Sequence, residues 1–309
     1  MAPQVAWIGL GNMGRGMCKN LVEKGPLPDD KPLLIYNRTS KRATDLSEAL
    51  PQGKSRVVSS ISSIVQAADI IFTCVGDDAA IEATIESALA ATGGVKGKLF
   101  VDCSTVHPET TDRLAARLVA AGADFVACPV FGAPAMADNG QLVCVLAGPA
   151  PAVARVKPYT KGVMGRADID FSDQAPGKAT TLKIIGNTFV MNMIEQLAQG
   201  HVLAEKTGLG VESLHSFIEV MFPGPYTAYS TRMISGDYHE RDEPLFAVDL
   251  ARKDLRHAVA LADKSDTQFK QAEIADKHLV TVKEQKGEKG DIAAIYGAMR
   301  KENGLAFEN

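Results

Sequence analysis

An α/β fold with a separate helical half is predicted for this 309-residue sequence: an N-terminal doubly wound parallel sheet followed by an all-helical C-terminal domain. Three observations carry that expectation. Short, continuous apolar runs alternate with helix-like stretches up to about residue 172, long helical patterns replace them beyond it, and a glycine-rich turn sits between the first run and the first helix. The length fits two domains, since one core usually serves ~100 to 200 residues. The boundary is predicted between residues 172 and 173, giving domains of 1–172 and 173–309.

The apolar runs fall at residues 5–8, 33–36, 70–75, 99–101, 125–130 and 142–146. They are continuous rather than alternating, as expected of strands covered on both faces, and their alternation with helical spacing argues for parallel pairing through crossovers. Residues 41–50 and 108–121 show that spacing, with charged outer faces. Residues 178–207 contain no proline, and their only glycines are Gly186 and Gly200; Ala175-Pro176-Gly177 precedes them and Gly208-Leu209-Gly210 follows. Those flanks are helix start and stop signals, so a helix over 178–207 is predicted, roughly 45 Å long at ~1.5 Å per residue and able to link the two domains. Residues 222–229 are rich in turn formers and read as a loop, either lining a cleft or simply joining helices.

Composition excludes several function classes. Apolar residues make up 46% and charged residues 23%, the balance of a chain that buries sizeable cores. The net charge of −4 provides no positive field for nucleic acid phosphates or anionic lipid. No apolar run approaches the ~20 residues that span a bilayer, and since Met1-Ala2-Pro3-Gln4 runs directly into Val5, no leader is expected. A cytoplasmic protein is expected. The five cysteines lack a C-x-x-C pair or a nearby histidine at ligand spacing, so they are expected to be reduced, mostly buried and not metal-binding. The six histidines are scattered without an H-x-x-x-H pair, and no metal site is expected.

Gly9-Leu10-Gly11-Asn12-Met13-Gly14 follows the first strand-like run and opens a helix-like stretch. At such a place the first glycine permits a tight turn, the second admits a pyrophosphate to the backbone and the third lets helix and strand pack closely. The N–H groups at the helix start, with the dipole behind them, favour the anion. This is the signature of a Rossmann dinucleotide site. In NAD-specific sites an acidic residue about 20 positions on takes the ribose hydroxyls. Here the corresponding place reads Tyr36-Asn37-Arg38-Thr39-Ser40-Lys41-Arg42, with no carboxylate. The Arg38 guanidinium suits a 2′-phosphate, which a carboxylate would repel, and NADP(H) is predicted. Asn37, Arg38 and Thr39 join the six residues of the turn as expected cofactor contacts.

With these residues in view, the chain resembles the β-hydroxyacid dehydrogenase family, which includes 3-hydroxyisobutyrate dehydrogenase, tartronate semialdehyde reductase and glyoxylate/succinic semialdehyde reductases. Four separated blocks carry the resemblance. The first is the Gly9–Gly14 turn continuing through Met17, Asn20 and Leu21 to Gly25; the second is Asp102-Cys103-Ser104-Thr105-Val106 with Pro108. The third, Cys128-Pro129-Val130-Phe131-Gly132-Ala133-Pro134 through Gly140 and Leu142, is similar to the family's substrate-binding P-V-S-G-G, with Phe131 in place of the serine and Ala133 in place of the second glycine. The fourth, Gly177 to Asn187, is similar to G-x-G-x-x-x-K-x-x-N-N, with Ala179 and Gly186 as its departures. Phe246 and Lys253-Asp254-Leu255 are similar to a further F and K-D-L.

The resemblance implies that Lys183 is the catalytic lysine and Asn187 its companion. It implies that Cys74, Val75, Thr105 and Lys253 approach the cofactor, and that Ser104, Phe131, Gly132 and Ala133 face a small carboxylic or carbonyl substrate. A homodimer is implied as well. From the residues alone, Lys183 and Asn187 lie four apart and project from one face of a helix. The apolar neighbours Leu182, Ile184 and Ile185 disfavour the charged form of the amine, which suits proton exchange near neutral pH. The expected reaction is NADPH-dependent, reversible reduction of an aldehyde or keto acid to the hydroxy acid.

The chain is also similar to imine reductases and reductive aminases in its glycine turn and Asn-Arg-Thr, but those enzymes carry aspartate or tyrosine where this one has Lys183. A non-catalytic scaffold, as in nucleosome-associated relatives, is disfavoured by the retained lysine and by the lack of a basic arm.

Overall fold

The computed structural model describes residues 2–309; Met1, with which the expected nucleotide domain begins, lies outside the described residues. The chain divides into two compact units, Met1–Lys183 and Ile184–Asn309, the division falling inside the long helix rather than before it. Among the described residues no helix is long and apolar enough to cross a membrane.

Among the described residues of the first unit, nine strands are interspersed with seven α-helices ahead of the long helix. The strands are β1 (Val5–Ile8), β2 (Leu33–Tyr36), β3 (Ser55–Val57), β4 (Ile70–Thr73), β5 (Leu99–Asp102), β6 (Asp124–Ala127), β7 (Val130–Phe131), β8 (Leu142–Gly148) and β9 (Gly165–Ser172). The helices are α1 (Asn12–Lys24), α2 (Ser40–Ala49), α3 (Ile61–Ala67), α4 (Asp78–Leu89), α5 (Pro108–Ala120), α6 (Pro134–Asp138) and α7 (Ala150–Val156). The sheet order β3-β2-β1-β4-β5-β6 is wholly parallel, so the carboxyl ends of β1 and β4 lie side by side where the strand order reverses. Both faces of the sheet are covered by apolar side chains, one around Trp7, Phe72 and Met17 and the other around Ile71, Phe100 and Phe125. The Trp7 and Phe72 rings stack at 5.5 Å between β1 and β4.

Beyond β6 the sheet departs from the all-parallel expectation. The apolar run at 125–130 breaks at Cys128-Pro129, where proline offers no N–H to a ladder, and the chain resumes as β7. Both β6 and β7 pair antiparallel to β8, while β9 pairs parallel to it. Edge strands β3 and β9 do not stand out in the sequence, because a strand with one free edge tolerates polar residues such as Ser55, Arg56, Arg166 and Asp168.

α8 is a single helix, Gly177–Lys206, as the sequence predicts to within a residue. Its start is pinned by the Gly177 N–H, which donates to Asp112 Oδ1 at 2.7 Å. The second unit adds α9 (Val211–Met221), α10 (Pro225–Ile234), α11 (Asp237–Glu240), α12 (Val248–Lys264), α13 (Lys270–Lys286) and α14 (Ile295–Glu302) around a core that includes Ile194, Leu279 and Tyr296. The loop expected over 222–229 shrinks to its first three residues, because Pro225 opens α10: proline's fixed φ suits a first turn whose N–H groups need no partner. Buried His278 stands between Glu195 (2.8 Å) and Glu302 (3.0 Å); the hydrogen bond to Glu195 favours its charged form against the opposing effect of burial. His201 is buried against the Ser230 hydroxyl at 2.8 Å, and burial holds it neutral, down at about 4. Among the described residues no cysteine forms a disulfide, and Cys18, Cys103, Cys128 and Cys144 are buried.

Candidate functional site

The glycine turn is assembled from three strand ends. Gly9 adopts φ +97°, and a Cβ there would stand 2.2 Å from the Cys74 carbonyl oxygen at the end of β4. A Cβ at Gly14 would come equally close to the Gly9 carbonyl oxygen, so the helix start sits directly on the turn. That same carbonyl accepts a 2.7 Å hydrogen bond from the Trp7 indole, which binds the turn to the buried core beneath. The Asn37 side chain accepts from the Leu10 N–H at 2.9 Å and donates to the Thr39 carbonyl, joining the ends of β1 and β2.

Gly11 differs from its neighbours. A Cβ there would meet nothing within 4 Å, and no side chain caps α1 at this residue. The 13-residue helix α1 thus begins at a residue bordered by open space, with the positive end of its dipole there. These residues fit a dinucleotide diphosphate. Arg38 and Thr39 are exposed just past the end of β2, where the ribose of such a cofactor falls.

At the ends of β4 and β5 a second brace holds the same edge. Thr73 donates to Asp102 Oδ1 at 2.7 Å, the Ser104 N–H donates to the same oxygen, and the Ser104 hydroxyl accepts from the Val75 N–H at 2.9 Å. Burial pushes the Asp102 carboxyl above its usual range, opposed by these hydrogen bonds. Ser104 is thereby buried and tied to Val75, Cys74 and Thr105 are half-buried, and Gly132 and Ala133 are exposed ahead of α6.

Lys183 is only 9% exposed, and its Nζ stands 4.6 Å from the centroid of the Phe131 ring at the end of β7. One turn further along α8, Asn187 is 6% exposed and donates from Nδ2 to Asp254 Oδ2 at 2.7 Å. Because a carboxylate can only accept, this contact fixes which way the amide points. The other oxygen of buried Asp254 lies 3.0 Å from Lys253 Nζ. The second unit thus gathers Asn187 and Lys253 on one carboxylate. Asp254 was not among the site residues read from the sequence; its place beside Lys253 was the available signal, but its partner Asn187 is distant in the chain. The bracing roles of Trp7 and Asp102 were likewise missed.

A family described as the NAD binding domain of 6-phosphogluconate dehydrogenase matches residues 4–167, and one described as NAD-binding of NADP-dependent 3-hydroxyisobutyrate dehydrogenase matches residues 177–299. A curated relative, NADH-dependent oxidoreductase ucdB of Aspergillus ustus, is 38% identical over 296 residues, which cover 96% of this chain and 98% of the relative. Among solved structures, Psf3 in complex with NADP+ and 2-OPP is 24% identical, with a TM-score of 0.81 over 96% of this chain and 99% of its own. 3-Hydroxyisobutyrate dehydrogenase from Salmonella typhimurium is 20% identical, with a TM-score of 0.80 over 94% of this chain and 98% of its own. At those identities the two structures speak for the fold.

Proposed function

The chain belongs to the β-hydroxyacid dehydrogenase family and is an NAD(P)-dependent oxidoreductase, and from that premise we propose that it reversibly reduces a small aldehyde or keto acid with Lys183 as proton donor. The observation that carries the proposal is a lysine only 9% exposed in the second turn of α8, its amine over the Phe131 ring. Long cationic side chains are rarely this buried, so Lys183 in an oxidoreductase is a candidate acid. A bound nicotinamide supplies the hydride. The Lys183 ammonium gives its proton to the carbonyl oxygen as negative charge develops there, and in the reverse direction the neutral amine takes the hydroxyl proton. Asn187, four residues on along the same helix, holds the reacting oxygen or a neighbouring group.

NADP(H) is proposed over NAD(H) because Arg38 follows β2 and residues 36–42 carry no carboxylate. The Aspergillus relative has NADH in its name, so the choice rests on Arg38. Cofactor oxidation with glyoxylate, succinic semialdehyde and a cyclic imine tests both parts. Carbonyl turnover is expected, with NADPH preferred; Arg38→Ala is expected to raise KM for NADPH about 10- to 100-fold, the scale of one or two charge-assisted bonds, and to leave KM for NADH within about twofold. A wild-type preference for NADH, or turnover of the imine alone, overturns the respective part.

We further propose a homodimer. The second unit exposes Phe189 (74%) and Leu203 on one face of α8, and Phe217, Val220 (79%) and Met221 at helical spacing on α9. Sedimentation is expected to show the mass of two chains at micromolar concentration and of one chain for Phe189→Glu combined with Val220→Glu. A wild-type monomer would refute the assignment.

A further inference from the structure

We infer that Phe131 is a positioning residue for the Lys183 amine: its ring face, against which the amine is packed, holds the ammonium in place as the acid of the reduction. The inference rests on the proposed role of Lys183. A cation within ~6 Å of an aromatic centroid is attracted to the negative face of the ring, most strongly where water is excluded. The 4.6 Å separation meets that distance, and Lys183 as a whole is only 9% exposed. Burial by itself works against the charged form, since the ammonium loses its hydration. The ring replaces part of that hydration, and it does so for the ammonium far more than for the neutral amine.

Both partners are held. Phe131 pairs with Val143 of β8 in the ladder, next to buried Val130, and Lys183 is flanked on α8 by Leu182, packed on the sheet core, and by fully buried Ile184. A leucine at 131 would keep apolar volume without the quadrupole, and a tyrosine would keep both. The aromatic face, not mere bulk, is therefore the testable feature.

Phe131→Leu is expected to lower kcat about 3- to 30-fold, the range of a cation–π contact between an exposed and a desolvated site. Kd for NADPH should stay within about twofold, and Phe131→Tyr, which keeps the aromatic face, should lower kcat clearly less than Phe131→Leu does. A second reading needs no turnover: acylation of Lys183 by an amine-selective reagent at fixed pH, followed by peptide mass spectrometry, is expected to be about 3- to 30-fold faster in Phe131→Leu and unchanged in Phe131→Tyr. Wild-type kcat and labelling in Phe131→Leu, or equal impairment of the Leu and Tyr variants, overturns the inference. If instead Lys183→Ala retains wild-type kcat, the carbonyl-reduction reading fails, and the labelling result still decides whether the ring holds the amine.

Discussion

Replacing Lys183 with alanine is expected to lower kcat by a factor of about 10² to 10⁴, the usual contribution of a positioned general acid. Cofactor affinity should remain, because the glycine turn, Asn37 and Arg38 are untouched. The protein reports this conveniently: its single tryptophan, Trp7, donates to the carbonyl of Gly9, so a bound dinucleotide should alter indole fluorescence. Lys183→Arg is expected to be nearly as inactive, since a guanidinium holds its proton too tightly to give it to the carbonyl oxygen and offers no neutral form to take the hydroxyl proton in the reverse reaction. Retention of wild-type kcat with intact NADPH binding would remove Lys183 from the chemistry and leave a nucleotide-binding protein whose acid lies elsewhere.

The second large effect separates stability from binding within one turn. Gly9→Ala places a Cβ 2.2 Å from the Cys74 carbonyl, at φ +97°, so β1, β4 or the turn must move. A loss of about 2 to 4 kcal/mol is expected, the scale of strain at a backbone-limited site, together with loss of cofactor binding. Gly11→Ala meets no protein atom within 4 Å, and α1 has no side-chain cap there to lose. Its stability should fall by no more than about 1 kcal/mol, yet Kd for NADPH should rise about 10- to 100-fold, because the methyl takes the approach of the diphosphate to the helix start. Denaturant melts and cofactor titrations of the two variants check the contrast. Wild-type affinity in Gly11→Ala would mean that no phosphate sits over this turn.

How legible each feature was depends on its physical origin. β1 and β2 were read to the residue, since buried parallel strands are continuous apolar runs bounded by turns. The same logic overlooked β3 and β9, whose free edges accept Ser55 and Asp168. Pro225 was read as a breaker, although proline also begins helices, and only the surrounding chain tells the two uses apart.

The sequence by itself determined the strand–helix alternation of the first half, the long helix, the glycine turn and the residue types able to bind phosphate or exchange a proton, because these depend on local backbone sterics and on periodicity. Only the tertiary structure decided what those residues touch: Asn37 against Leu10, Phe131 beneath Lys183, Asn187 on Asp254. Such pairs join positions far apart in the chain. Their meeting is set by strand register and helix packing, which no local window contains.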